Sequence, residues 1–238
     1  MRYILVLLVG LLVGCGEEKQ SFGLEKGDHL IFLGDSITYL GAQPQGYVSL
    51  ISEAIAAAVP ELGVTVTGKG ISGNKVGNLL QRYERDVLKL SPTKVGIFIG
   101  TNDVWHWSKP HPVTKEPREG TTQEDYRAGI ETLITEFQAA GIRPFLITPA
   151  VIGEDIQSEL PDTERLEAYV QVVRELAVQH GVPVVDLRSR FLAYLTEHNS
   201  ENRSHGVLTA DRVHLNDAGN VVVCEALCEL FGLPVAGQ

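Results

Sequence analysis

The stretch His29-Leu-Ile-Phe-Leu-Gly-Asp-Ser-Ile-Thr38 constrains this chain more than any other. Leu30 to Leu33 is a short apolar run of the kind that fills the middle of a parallel sheet, where both faces are covered. Gly34 then permits a turn that a side chain would crowd. Ser36 follows at the carboxyl end of the predicted strand, the end at which open α/β sheets bind ligands. A helix opening there presents unpaired N–H groups that favour negative charge. Serine is also a preferred N-cap, so Gly-Asp-Ser by itself suits a helix cap as well as a nucleophile.

The rest of the chain alternates strand-like and helix-like segments. The pattern predicts a helix over Tyr47 to Val59, a strand over Val64 to Thr67, and a helix over Val76 to Leu90 closed by Ser91-Pro92. A buried strand follows over Lys94 to Ile99. Thr121-Thr-Gln-Glu124 fits a capping box that opens a helix running to about Ala140, ended by Gly141. Arg143 to Thr148 reads as the fourth strand, Asp162 to His180 as a long helix, and Val182 to Leu187 as the fifth strand. The last helix is predicted from about Asn216, its N-cap, to Phe231. Strands alternating with helices imply one α/β domain with a parallel sheet and helices on both faces. Two loops, Val104 to Gly120 and Pro149 to Pro161, exceed the usual length and follow strand ends, so both are expected to flank one crevice.

The net charge of −10, with no lysine or arginine cluster, argues against a nucleic-acid surface. Residues 1–14 read as a signal peptide, with Arg2 as the positive region and an apolar run too short to span a bilayer stably. Leu12-Val-Gly-Cys15 resembles a bacterial lipobox. That resemblance implies a lipidated Cys15 and a chain held in the cell envelope by its lipid anchor alone. Gly16 fits sorting to an outer membrane where the cell has one. Residues 15–27 then read as the lipidated cysteine and a polar tether, and residues 28–235 as the folded domain. Cys224 and Cys228 stand four apart on one helix face, a poor geometry for a disulfide, and read as small apolar residues.

Four segments bring polar groups to one rim: Ser36, Gly73 with Asn74, Asn102 with Asp103, and Asp211-Arg-Val-His214. A serine nucleophile needs a base, usually histidine, and that histidine needs an orienting carboxylate. Asp211 and His214 stand three apart, a spacing that can place both side chains on one side of a turn. Asn102 offers an amide donor, and Gly73 an unshielded N–H, for a developing oxyanion. The other histidines (His29, His106, His111, His180, His198 and His205) have no acid at similar spacing. Asp35 and Asp103 read as residues that brace their loops.

The blocks Gly34-Asp-Ser-Ile-Thr38, Gly70-Ile-Ser-Gly-Asn74, Gly100-Thr-Asn-Asp103 and Asp211-Arg-Val-His-Leu-Asn216 together resemble the SGNH-hydrolase superfamily of GDSL-type esterases and lipases. Ile37 stands where the name motif has leucine. The resemblance implies a flavodoxin-like three-layer α/β/α sandwich, with a five-stranded parallel sheet of strand order 2-1-3-4-5. It implies Ser36 as nucleophile, His214 as base and Asp211 as its partner. The implied oxyanion hole is the Ser36 N–H, the Gly73 N–H and the Asn102 side chain, with no metal or cofactor. The expected partner is a small-molecule ester. Trp105, His106 and Trp107 are candidates for the substrate pocket, and the two tryptophans suit a sugar ring. Short-chain or carbohydrate O-acetyl esters are therefore the preferred substrate. Lysophospholipase or thioesterase activity, acyl transfer to an acceptor other than water, and a non-catalytic binding protein are the alternatives. The sequence leaves the oligomeric state open.

Overall fold

The computed structural model describes residues 22–111, 113–158 and 161–235. The strands are β1 His29–Gly34, β2 Thr65–Gly70, β3 Lys94–Phe98, β4 Arg143–Ile147 and β5 Val184–Val185. The helices are α1 Ser36–Gly41, α2 Tyr47–Ala58, α3 Val76–Leu80, α4 Tyr83–Asp86, α5 Thr101–Trp105, α6 Gln123–Ala139, α7 Pro161–His180, α8 Leu187–His198 and α9 Asp217–Phe231. All strand pairs are parallel and the order is β2-β1-β3-β4-β5, the order the resemblance implied.

Successive strand side chains point to opposite faces of the sheet, and this splits the core in two. Leu30, Phe32, Phe98, Phe145 and Ile147 pack with apolar residues of α2, α8 and α9. Ile31, Leu33, Val95, Ile97 and Leu146 pack with those of α3, α6 and α7. The result is three layers. β1 lies inside the sheet, second from one edge, with β2 on one side of it and β3 on the other. The crevice at the carboxyl ends of β1 and β3 is thus a topological switch point.

Several boundaries differ from the sequence expectation. The helix expected over Val76 to Leu90 is broken into α3, α4 and a 3₁₀ turn at Leu88–Leu90. The break falls at Arg82, whose side chain turns inward and is 6% exposed. Its guanidinium donates to Gly34 O at 2.8 Å, Lys69 O at 3.1 Å, Asn74 Oδ1 at 2.8 Å and Asp86 Oδ2 at 2.7 Å. The fifth strand is only Val184–Val185, and a whole helix, α8, follows it. Asp186 caps α8 by accepting from Ser189 N, while Leu187, Phe191 and Leu195 bury one face at a spacing of four. Thr122, not Thr121, caps α6, accepting from Asp125 N. Asn216 caps α9 as expected, accepting from Gly219 N at 3.0 Å.

The folded domain also starts earlier than residue 28. Phe22 is buried, edge-on to Phe145 and stacked with Phe231, and the Arg143 guanidinium lies over its ring at 4.6 Å. Phe22 thus joins Phe145 and Phe231 in the core, six residues ahead of Asp28. The signal segment and Cys15 lie outside the described residues. Cys224 and Cys228 are free thiols. Among the described residues, no helix is long and apolar enough to cross a membrane.

Candidate active site

The turn after β1 places Ser36 as the first residue of α1. Asp35 caps that helix, its Oδ1 accepting from Ile37 N at 2.9 Å. The Ser36 N–H thus sits at the open amino end of the helix. Gly34 is required by space. A Cβ there would lie 2.2 Å from Thr38 Oγ1 and 2.5 Å from Phe98 O. Gly73 follows β2 with φ +79, a conformation that favours glycine, and open space surrounds its Cα. Neither the Ser36 nor the Gly73 N–H donates to any acceptor among the described residues. Asn102 follows β3 in α5. Its amide donates to Asn74 O at 3.1 Å and, at the longer distance of 3.3 Å, to Asp35 Oδ2. Ser36, Gly73 and Asn102 therefore come from the carboxyl ends of three adjacent strands, with Ser36 in the middle.

Asp211 and His214 arrive from the opposite direction, on the turn before α9. Asp211 Oδ1 accepts from the backbone N–H of Val213 at 3.2 Å and of His214 at 2.8 Å. This Asx-type turn leaves Asp211 Oδ2 to meet His214 Nδ1 at 2.7 Å. His214 Nε2 then lies 2.9 Å from Ser36 Oγ. Arg212, between them, adopts φ +85, a sparsely populated conformation for a non-glycine residue. Partial burial raises the Asp211 pKa, but the bonds from the His214 side chain and from the His214 and Val213 backbone prevail and hold it below the usual value. An ionised Asp211 fixes Nδ1 as the protonated nitrogen. That leaves the Nε2 lone pair facing the Ser36 hydroxyl.

Two buried carboxyls underlie the strand-end groups. Burial drives Asp35 up to about 7, with Asp103 adding to the rise and the Ile37 N–H opposing it. Burial likewise lifts Asp103 to about 6, against its bonds to Thr121 and Val76. Asp103 Oδ1 accepts from Val76 N at 3.0 Å and Thr121 Oγ1 at 2.6 Å, while Oδ2 is buried without a partner. Both acids brace loops, as the sequence suggested, and the raised pKa of Asp35 reduces the negative charge beside the unpartnered N–H groups.

The pocket candidates do not act as one set. Trp105 is half-buried against both core clusters. His106 is buried, its Nε2 lacks a partner, and burial together with Arg118 and Lys75 lowers its pKa to about 4, so it is neutral at ordinary pH. Trp107 is 43% exposed and donates to Thr121 O at 3.3 Å. It lines a groove of about 610 Å³ with Lys75, Asn78, Gln81 and Asp125, and neither Ser36 nor His214 is among the residues lining that groove. A larger cavity of about 740 Å³, lined by Phe22, Arg143 and Pro183, lies at the opposite end of the sheet, away from Ser36. Two residues that carry the site had no signal in the sequence. Arg82 braces the Gly34 carbonyl and the Asn74 side chain. Glu154, buried in the loop after β4, accepts from Val207 N and Leu208 N.

Residues 32–222 match the model of the GDSL-like Lipase/Acylhydrolase family. An acetylxylan esterase of Geobacillus stearothermophilus is 33% identical over 217 residues, spanning 87% of this chain and 94% of that protein. Among solved structures, the acetyl xylan esterase AlAXEase aligns with a TM-score of 0.77 at 36% identity, covering 84% of this chain and 98% of its own. LAE5, an alpha/beta hydrolase enzyme from the metagenome of Lake Arreo, Spain, aligns with a TM-score of 0.76 at 29% identity, covering 88% of this chain and 97% of its own.

Proposed function

The chain belongs to the GDSL-like lipase/acylhydrolase family of ester-hydrolysing enzymes, and we propose that it removes acetyl groups from xylan-type carbohydrate esters with Ser36 as nucleophile. The observation that carries this reading is the chain of hydrogen bonds Asp211–His214–Ser36, at 2.7 and 2.9 Å, ending beside two unpartnered N–H groups. His214 Nε2 takes the Ser36 proton as Oγ attacks the acetyl carbonyl. The oxyanion accepts from the Ser36 and Gly73 N–H groups and from the Asn102 amide, which exchanges its long contact to Asp35 for the stronger one. His214 then protonates the departing sugar oxygen. Water, activated by the same histidine, releases acetate and restores the serine.

The acetylated-carbohydrate preference is supported by the names of the relatives and by the exposed Trp107 ring in its groove. The test is acetate release from acetylated xylo-oligosaccharides, set beside hydrolysis of p-nitrophenyl acetate and octanoate. We expect turnover of both acetyl substrates, little with octanoate, and loss of essentially all activity in a folded Ser36→Ala protein. Near-native activity in that variant overturns the site, and octanoate ahead of acetate overturns the substrate class. The lipobox resemblance further supports a proposed lipid anchor at Cys15, facing the periplasm or the exterior. A Cys15→Ser chain is expected to leave the membrane fraction, and its retention there overturns the anchor.

A further inference from the structure

Glu154 is a buried carboxylate, 0% exposed, with no lysine or arginine partner among the described residues. A charge in such a place is costly unless donors surround it. Here they do. Oε2 accepts from Val207 N at 2.8 Å. Oε1 accepts from Leu208 N and from Thr209 Oγ1, each at 2.7 Å, and from Thr209 N. Three consecutive backbone N–H groups thus point at one side chain, an anion-binding arrangement supplied within the protein. The backbone of the same residue adds to this, with Glu154 N donating to Ser204 O at 3.0 Å and Glu154 O accepting from Asn199 Nδ2 at 2.8 Å.

What those bonds hold is one arm of the hairpin that carries Asp211 and His214. Thr209 pairs with Leu215 across it, Ala210 N donates to His214 O at 2.8 Å, and Asn216 N donates to Leu208 O at 3.0 Å. The neighbouring Gly153 N donates to Arg212 O at 2.8 Å, at the strained tip. No sheet strand runs through residues 199–216, so the reach of His214 to Ser36, across 178 residues of sequence, rests on the core packing of Leu208 and Val213 and on these hydrogen bonds.

We propose that Glu154 is a positioning residue for the reaction: its charge locks residues 207–209 and thereby fixes where His214 meets Ser36 and Asp211. The inference rests on the esterase reading for its kinetic consequence but not for its geometry.

The test compares wild type with Glu154→Gln, which keeps the shape but replaces an acceptor oxygen by a donor, and with Thr209→Val, which deletes only the hydroxyl bond. Turnover of p-nitrophenyl acetate is measured as separate kcat and KM, with thermal midpoints. The His214 Nδ1–H proton, which reports the contact with Asp211, is followed by NMR. Misplacement of a reacting group by about 1 Å can cost on the order of 10²-fold, so we expect a kcat 10- to 100-fold lower for Glu154→Gln at a KM within about twofold. Loosening the Asp211 contact should move the His214 Nδ1–H proton resonance upfield, away from its hydrogen-bonded position. Thr209→Val should lose about threefold in kcat, the size of one hydrogen bond. A folded Glu154→Gln protein with wild-type kcat and an unmoved His214 Nδ1–H resonance overturns the proposal. So does a loss confined to the thermal midpoint. If Glu154→Gln does not fold, an unchanged kcat in Thr209→Val overturns it. If wild type itself lacks esterase activity, the esterase reading has failed, and the His214 Nδ1–H resonance alone decides the positioning claim.

Discussion

The two halves of the site are built by different means. Ser36, Gly73 and Asn102 stand at the ends of β1, β2 and β3, so the register of a central parallel sheet fixes their spacing. Asp211 and His214 stand on an irregular segment, fixed by an Asx-type turn and by the buried Glu154. The first half is also deep, with Asp35 and Asp103 almost fully buried, whereas the Asp211 side chain is 52% exposed. The nucleophile half borrows precision from the core. The base half must supply its own, through hydrogen bonds whose partners lie far apart in sequence.

The sharpest way to break this contrast is at Asn102. If the strand-end half supplies the oxyanion donors, Asn102→Ala should lower kcat by roughly 10²–10³, the range for loss of one such donor, with KM little changed. Steady-state kinetics on an acetyl ester would show this, and a change confined to KM would remove Asn102 from the oxyanion hole. The braces should differ in kind as well. Arg82 ties Gly34, Lys69 and Asn74 together inside the core. Replacing it by leucine leaves the Asn74 amide oxygen without its donor, takes a donor from Lys69 O, and reduces Gly34 O to its bond from Ile71 N at 3.2 Å, a loss of about 3 kcal/mol. For a chain of this size that lowers the thermal midpoint by roughly 6–12 °C. Glu154 should cost rate more than stability, Arg82 stability more than rate. A calorimetric midpoint for Arg82→Leu equal to wild type would erase the distinction.

Legibility in the sequence followed the same division. The strand-end half was readable because its requirements are local: an apolar run, a glycine that must turn, a serine, and amide donors after the next two strands. Asp211 and His214 were readable through their spacing, since one turn serves both. The braces were not. Arg82 looked like any helical arginine, and its target, the Gly34 carbonyl, is a backbone atom with no residue-type signature. Glu154 binds backbone N–H groups some 53 to 55 residues away, equally silent in the sequence. The same holds for Phe22, whose partners Phe145 and Phe231 are brought to it only by the folded sheet and α9. Helix α8 is a different case. Asp186 with Leu187, Phe191 and Leu195 is a legible cap and stripe, hidden by running the fifth strand on to Leu187, over the cap and first residue of the helix.

The smallest expected effect separates the halves by charge. Burial raises Asp103 to about 6 and Asp35 to about 7, so the folded state holds protons that the unfolded chain, with carboxyls near 3.8, has released. Between about pH 4 and 7 the native state therefore binds more protons than the unfolded one, and this half loses stability as pH rises through that window. Asp211 has the opposite sign. Its lowered pKa means that its contribution is present above the unfolded value and is lost on acidification below it. Asp103→Asn tests the first sign cleanly. Its Oδ1 can still accept from Val76 N and Thr121 Oγ1, and the new amide nitrogen falls at the oxygen that had no partner. Thermal midpoints taken from pH 4 to 8 should fall less steeply in the variant than in wild type, with the gap opening chiefly between about pH 4 and 6. Parallel curves would mean that Asp103 titrates alike in the folded and unfolded chain. The contrast between a deep, proton-holding half and an exposed, ionised one would then rest on Asp35 alone.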